Sequence, residues 1–540
     1  MNVYPTPPHR DPRDDMAWGA ARQPAQDTTV GVRIERDALG EVAVPADRPW
    51  GAQTQRALEH FAISTERWPR EFIVALARVK RAAARAHRAG GTLPTALADA
   101  IESVADEVAQ GAHADAFPLP VWQSGSGTQT NMNMNEVLAR LAEGRLGGTV
   151  RVHPNDDVNR GQSSNDVIPT ALHVALAVAI ARGVAPALHA LAAALREREQ
   201  AFRSVVKIGR THLQDAVPMT LGQAFGGWAS QVERARRALV PALAELMPLP
   251  IGGTAVGTGL NAPPGFGAAV ARALADDCGL PFEPAPDRFA LIGAHDPVVA
   301  AHGALAAAAV SLLRIANDIR LLASGPDAGL GELRLPANEP GSSIMPGKVN
   351  PTQAEALAMA CVQVIGNNTT VAMAGAGGML ELNVYKPLLA HTALQSARLI
   401  ADASHSFTVH CVAGIEADTS RIAAHVARSR MLATALAPHI GYDATARIVH
   451  RAITAGATLR EAAVAEGVAE ADFDRWVDPV AMAGCGTWNG LSTREKATVG
   501  GAAAGGVVGS AVGGGALGTV GGAAAGGLIG NQLGKDRPQR

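Results

Sequence analysis

The sequence predicts a mainly α protein organised around a bundle of long helices, and three observations carry that reading. Apolar runs beginning near Val167, Leu221, Pro297, Thr352 and Lys386 each last about 20 to 30 residues, the length of bundle helices rather than of strands. Alanine is abundant throughout while aromatic residues make up only 4%. Small side chains in long periodic runs suit closely packed helices better than a β-sandwich. At 540 residues and 47% hydrophobic, the chain has room for roughly two to four domains and can bury a large core.

Residues 1–29 are rich in Pro, Arg and Asp and contain no apolar core segment, so they read as a disordered leader rather than a secretory signal. An N-terminal part, 30–165, opens with VGVRIERDALGEVAVP, two short strands around a Leu39–Gly40 turn. Phe72 to Arg88 has apolar residues at helical spacing, and Gly90, Gly91 and Pro94 punctuate the next boundary. The central part, 166–413, holds the long runs. Val299 to Ala323 is nearly all Ala, Val, Leu and Ile until Arg314, so it must be buried on several sides or span a membrane. His302, Arg314, Asn317, Asp318 and Arg320 in the same run favour burial in a bundle, and five such helices suggest partner subunits. A smaller, more charged helical part covers 414–490, the main body ending near Trp476 to Met482.

Residues 491–540 differ in kind. Ala497 to Gly534 carries no charge, and glycines recur four apart at Gly501, Gly505, Gly509 and Gly513, then from Gly514 to Gly530. Small residues at that spacing let helix backbones approach closely, as in the glycine-zipper segments of bacterial envelope proteins that this tail resembles. Glycine also weakens a helix by about 1 kcal/mol relative to Ala. Self-association or membrane contact and a disordered low-complexity tail therefore both stay open.

The net charge of −2 gives no footprint for nucleic acid. Cys278, Cys361, Cys411 and Cys485 are far apart, with no CxxC pair, and no HxxxH or HxH pair suggests a metal cage. A reducing, cytoplasmic location is the default expectation.

The densest chemistry is GSSIMPGKVNP at Gly341 to Pro351. Two serines, a lysine and an asparagine lie within nine positions, a set able to offer hydroxyl, cation and amide donors to an anion. On composition alone such a loop is usually just an ordinary turn. The whole string, however, resembles the signature of the fumarase/aspartase superfamily, whose members eliminate a group β to a carboxylate. Three further segments are similar to the substrate regions of class II fumarases: SGSGTQTNMNMNE at Ser124 to Glu136, HPNDDVNRGQSSNDVIPT at His153 to Thr170, and GRTHLQDAVPMTLGQ at Gly209 to Gln223. The similarity extends over about Val30 to Met482 and includes WGAQTQRALEHF and GGTAVGTGLN. His212, Gly347 and the QSSND group resemble fumarases more than aspartases. Class I fumarases are unrelated and need an iron–sulfur cluster, which the isolated cysteines argue against.

The resemblance implies a three-domain subunit with a central bundle, working without metal or cofactor on fumarate and (S)-malate. It implies a homotetramer whose active sites combine segments from three subunits. Ser342 would be the base, as an activated alkoxide on a mobile loop; His212 would handle the proton of the departing or attacking water; Glu355 would orient that imidazole. The resemblance leaves the division of acid and base roles between His212 and Ser342 open. Ser126, Gly127, Thr128, Ser163, Ser164, Asn165, Thr211, Ser343, Lys348, Val349 and Asn350 would bind substrate. His153, Pro154, Asn155 and Asp156 match a second dicarboxylate site. The loop from Glu143 to Val152 is shorter than in typical relatives and keeps only Arg151 as its basic residue, which weakens that match. FALIGAHD at Phe289 to Asp296 is a second departure. An aspartase-like ammonia lyase, or a scaffold protein using its tail for envelope association or self-association, are the competing readings.

Overall fold

The computed structural model describes residues 31–484. The leader over 1–29, the glycine-zipper tail over 491–540 and Cys485 lie outside the described residues.

A hairpin opens the described chain. β1 (Val32–Asp37) pairs antiparallel with β2 (Gly40–Pro45), from Val32 opposite Pro45 to Asp37 opposite Gly40. The turn is Ala38–Leu39, one residue earlier than expected. The Asp37 carboxylate accepts the Leu39 N–H at 2.9 Å, and Gly40 begins β2 with φ 117°.

Four helices follow: α1 (Ala52–His60), α2 (Arg70–Ala89), α3 (Thr95–Ala109) and α4 (Thr128–Arg145). In α2 the spacing of Phe72, Leu76, Val79 and Ala83 buries one face, and Glu71 at its start and Arg88 at its end complement the helix dipole. Gly91, left-handed at φ 65°, and Pro94 separate it from α3. Gly51 has no side chain to cap α1, so α4 supplies the cap. The Glu136 carboxylate accepts the N–H groups of Gly51 (2.9 Å), Gln53 (2.8 Å) and Thr54 (3.1 Å) and the Thr54 hydroxyl (2.6 Å).

α5 (Ser164–Ala179) and α6 (Ala185–Ala201) are joined through a short π-helical segment, Ile180–Val184, into one 38-residue stretch. This is longer than the apolar run alone suggests. The apolar pattern fades after Leu195, but Arg196 to Gln200 are good helix formers and continue the helix. A second antiparallel hairpin, β3 (Val206–Thr211) and β4 (Gln214–Thr220), leads into α7 (Leu221–Ala244). Next, β5 (Pro248–Leu249) pairs in parallel with β6 (Glu283–Pro284), with α8 (Phe266–Cys278) between them, and α9 (Arg288–Gly293) follows. α10 (Asp296–Leu322), α11 (Thr352–Ala376) and α12 (Lys386–His410) are the remaining long helices. β7 (Leu333–Arg334) pairs with β8 (Glu416–Ala417). The smaller helical part comprises α13 (Thr419–Arg428), α14 (Ala437–Ile440), α15 (Tyr442–Thr454), α16 (Leu459–Ala465), α17 (Glu470–Trp476) and α18 (Pro479–Met482).

The described residues fall into two compact units. The first comprises 31–192, 231–317 and 352–409; the second comprises 193–230, 318–351 and 410–484. In the first, α2 packs on α3, α5 and α8, with Phe72, Leu76, Ile101 and Leu172 fully buried. In the second, Ile208 of β3 joins Val426, Leu432, Leu436, Ile448 and Phe473 in one cluster.

Three stretches are long and apolar enough to cross a membrane by length and composition: Ser164–Ala201, Asp296–Leu322 and Thr352–Ala376. The first is 72% buried within the chain over its most apolar window, the other two only 44% and 33%. Burial on several sides is thus reached by α5 but not by α10 and α11. Val310, Met359, Val362 and Met373 face outward because no other element among the described residues covers them. α10 nevertheless carries a buried polar residue with partners on both sides. His302 sits between the Asn368 amide oxygen (3.0 Å) and the Ser396 hydroxyl (2.8 Å), and burial holds its pKa below the usual value.

Candidate active site

In the first unit, a chain of hydroxyls links the Ser124–Glu136 and His153–Thr170 segments. Ser124 Oγ lies 2.9 Å from Ser126 Oγ, Ser126 Oγ 2.7 Å from Thr128 Oγ1, and Thr128 Oγ1 2.8 Å from Ser164 Oγ. The backbone that holds them needs glycine twice. Gly127 enters α4 at φ 73°. At Gly125 a Cβ would fall 1.3 Å from the Val384 carbonyl oxygen, and the Gly125 carbonyl itself accepts the Lys386 N–H.

Ser163 caps α5: its Oγ accepts the Asn165 N–H at 3.1 Å while the Asp166 carboxylate accepts the Ser163 N–H at 2.9 Å. The other Asp166 oxygen accepts the N–H groups of Gly252 and Thr254, both at 2.9 Å. Asn165 donates to the Ala255 carbonyl at 2.9 Å. One carboxylate and one amide thus tie the serine pair to the Gly252–Asn261 segment. Below them Lys80 donates to Asn159 Oδ1 (2.9 Å) and Gln162 Oε1 (3.0 Å), and Asn131 and Asn135 converge on the same Asn159 oxygen at 3.1 Å. Burial dominates the titration of both charges: Lys80 is pushed down to about 7 and Asp166 up to about 6. Their mutual attraction opposes both shifts.

Pro154 to Val158 forms a single π turn. His153 caps it, with Nδ1 accepting the Asp156 N–H at 3.0 Å, and the Asp157 carboxylate accepts the His153 N–H at 2.8 Å. Nδ1 is therefore occupied as an acceptor, and Nε2 carries the proton of the neutral ring. A cavity of about 690 Å³ adjoins this turn; Asn155, Asp156, Arg160, Ser163, Thr254 and Asn261 are among the residues lining it. Asn155 and Asp156 of that turn and Ser163 at the start of α5 thus border one space. Glu355 stands in the first turn of α11, half-buried.

In the second unit, Thr211 ends β3 and His212–Leu213 form its turn, exposed, with both turn residues left-handed at φ 55° and 60°. Non-glycine residues rarely adopt that conformation, and here they are held by an anchored strand. Glu332, fully buried, lies 2.6 Å from Arg210 Nη2, 3.2 Å from Lys207 Nζ and 3.2 Å from His425 Nδ1. Burial opposes ionisation of Glu332, but the Arg210 hydrogen bond and the charges of Lys207 and Arg210 outweigh it and hold the carboxyl below its usual range.

The serine loop, also in this unit, closes on itself. The Gly341 N–H donates to the Lys348 carbonyl at 2.8 Å, and the Asn350 amide donates to the Gly341 carbonyl at 2.6 Å. A Cβ at Gly341 would lie 2.3 Å from the Lys348 carbonyl oxygen. Inside this closure Ser342 Oγ accepts two backbone N–H groups, from Met345 (3.0 Å) and Ile344 (3.2 Å). Ser343, Lys348 and Val349 are exposed along the loop. Within this unit no hydrogen bond among the described residues joins His212 to Ser342.

Sequence reading missed Lys80, Asn159, Arg160, Asp166 and Glu332. Arg160, Asp166 and Asn159 lie inside the quoted HPNDDVNRGQSSNDVIPT string, so a signal was present; Lys80 sits in the Phe72 to Arg88 helical run with nothing to mark it, and Glu332 in an unremarked stretch. No group of three or more His, Cys, Asp or Glu that could hold a metal ion occurs among the described residues. Cys361 and Cys411 are buried thiols pushed up to about 12 by burial.

Long helices and a loop carrying two serines, a lysine and an asparagine agree with a lyase of the fumarase/aspartase type, and comparison with known proteins shows that family. The family described as Lyase matches residues 40–366, and that described as fumarase C C-terminus matches residues 432–484. A class II fumarate hydratase of Chromobacterium violaceum is 58% identical over 459 residues, covering 84% of this chain and 100% of that protein. That of Ralstonia nicotianae is 56% identical, covering 84% and 99%. A crystal structure of class II fumarase from Schistosoma mansoni superposes with a TM-score of 0.82 at 42% identity, covering 84% of this chain and 99% of that one. The chain belongs to the class II fumarate hydratase family.

Proposed function

We infer that the chain catalyses the reversible hydration of fumarate to (S)-malate. In the dehydration direction a base removes a C3 proton, α to a carboxylate, and leaves a dianionic aci-carboxylate. Such charge is tolerated only among preorganised donors. Lys348 and Asn350 serve that role, and Ser126, Thr128, Ser163, Ser164, Asn165 and Thr211 bind the carboxylates or the hydroxyl, with Gly127, Ser343 and Val349 contributing backbone contacts.

Ser342 is the base. The observation that carries this assignment is the pair of backbone N–H groups already aimed at its Oγ. They stabilise an alkoxide in the way that an oxyanion hole does, and a lone serine hydroxyl lacks that support. His212 passes the proton of the water, and Glu355 orients its imidazole. His153 with Pro154, Asn155 and Asp156 forms a second dicarboxylate site.

The active assembly is a homotetramer in the cytoplasm, whose subunits cover the outward apolar faces of α10 and α11 and complete one another's active sites. Each subunit works as three parts, 30–165, 166–413 and 414–490.

The test is to follow fumarate absorbance after adding (S)-malate to purified protein with a chelator present. Turnover supports the reading, and its absence overturns it. In Ser342→Ala, C3 proton exchange is lost while malate binding persists; full exchange activity in that variant removes serine as the base.

A further inference from the structure

We propose that Arg160 is the capture cation of the cavity between the His153–Asp156 turn and the serine pair, binding one carboxylate of a short dicarboxylate before it reaches the serines. The proposal rests on the function inferred above, and it adds a residue to which neither the motifs nor the relatives assign a role.

Arg160 is the one cationic side chain lining that space among the described residues, and Ser163 lines it too. Its guanidinium is not neutralised by a tight partner. The nearest carboxylate, Asp157, stands 3.7 Å away, beyond hydrogen-bond length, and Asp157 is already drawn to the His153 N–H at 2.8 Å. Arg160 Nε is buried without a partner, while 40% of the side chain stays open to solvent. The open part of the side chain lets the guanidinium offer two parallel donors to the two oxygens of an incoming carboxylate.

The other wall groups suit the passage of a dianion. Asn155, Asn159, Gln162 and Asn261 are neutral amides, and Asp156 is the single anion. Two features fix Arg160 itself. Its carbonyl accepts the His87 ring Nε2 at 2.7 Å, and the Gln162 amide donates to the same carbonyl at 3.2 Å. Both contacts are made by the backbone, so changing the side chain leaves them in place. A partly open cation in a concave wall attracts a dianion over about a Debye length, an effect that salt screens.

The experiment compares wild type, Arg160→Gln and Arg160→Lys in steady-state malate dehydration at low and high salt. Equilibrium binding of succinate, a non-reacting four-carbon dicarboxylate, is measured alongside. Arg160→Gln is expected to lower kcat/KM at least about tenfold at low salt, mostly through KM, to flatten its salt dependence and to weaken succinate binding by a similar factor. Arg160→Lys keeps the salt dependence and recovers part of the KM. Wild-type KM, salt slope and succinate affinity in Arg160→Gln overturn the proposal, as does a loss confined to kcat. A wild-type protein that binds succinate but does not turn over malate sinks the hydratase reading alone.

Discussion

Replacing Asp166 by Asn isolates what one buried carboxylate does for the serine pair. The carboxylate accepts three backbone N–H groups: Ser163 on one oxygen, Gly252 and Thr254 on the other. An amide has one acceptor oxygen. In its better orientation it keeps Gly252 and Thr254 and turns its NH₂ towards the Ser163 N–H. That loses a hydrogen bond to a charged acceptor, about 1.5 to 3 kcal/mol, and leaves a buried N–H unsatisfied. Relief from burying an ionised carboxyl offsets part of this, so a net loss of about 2 kcal/mol is expected. The capping box of α5 loosens, and KM rises because Ser163 and Ser164 lose their fixed positions.

The pH dependence gives a second readout. Burial raises the folded pKa of Asp166 from 3.8 to about 6, so between those values the folded state holds the extra proton. Its contribution to stability is greatest below about pH 4 and falls as pH rises through about 6. The Asn variant lacks that fall. Denaturant unfolding from pH 4 to 8, with malate kinetics at neutral pH, measures both. A variant within about 0.5 kcal/mol of wild type, with unchanged KM and the same pH slope, refutes the reasoning.

Lys80→Met removes the opposite slope. Its folded pKa of about 7 against 10.5 unfolded makes wild-type stability rise with pH across that window, and the Met variant is flat there by denaturant unfolding. Glu332→Gln breaks a buried cluster in which Glu332 ties Lys207 and Arg210 of β3 to His425, with a loss of about 3 to 5 kcal/mol in unfolding free energy and a fall in kcat as the His212 turn loosens. Gly125→Ala places a methyl 1.3 Å from a backbone oxygen and abolishes activity and native Tm together. Gly347→Ala meets open space and only strains φ 81°, for a loss of about 1 kcal/mol by the same melting measurement.

What the sequence disclosed follows from what leaves a local trace. Helix starts near Leu221, Thr352 and Lys386 are legible because apolar periodicity begins there. The turn at Ala38–Leu39 was misjudged by one residue because the deciding contact is a side chain, Asp37, rather than the glycine. Partners far apart in sequence leave no such trace. Glu136 caps a helix more than eighty positions earlier, and Glu332 meets Lys207 across more than a hundred. For α10 and α11 composition reports apolarity and does not say which chain covers their outward faces.

The four linked hydroxyls of Ser124, Ser126, Thr128 and Ser164 have a further consequence. Each bond between them can run either way. A row of such rotors has two self-consistent orders, related by turning every O–H without moving a heavy atom. One order ends in a donor at Ser164, the other in an acceptor. Fumarate offers only acceptor oxygens, whereas malate adds a hydroxyl that also donates. With the ligand contacts proposed above, the row answers either ligand by reversing its polarity, so that one rigid surface serves a reaction that runs in both directions.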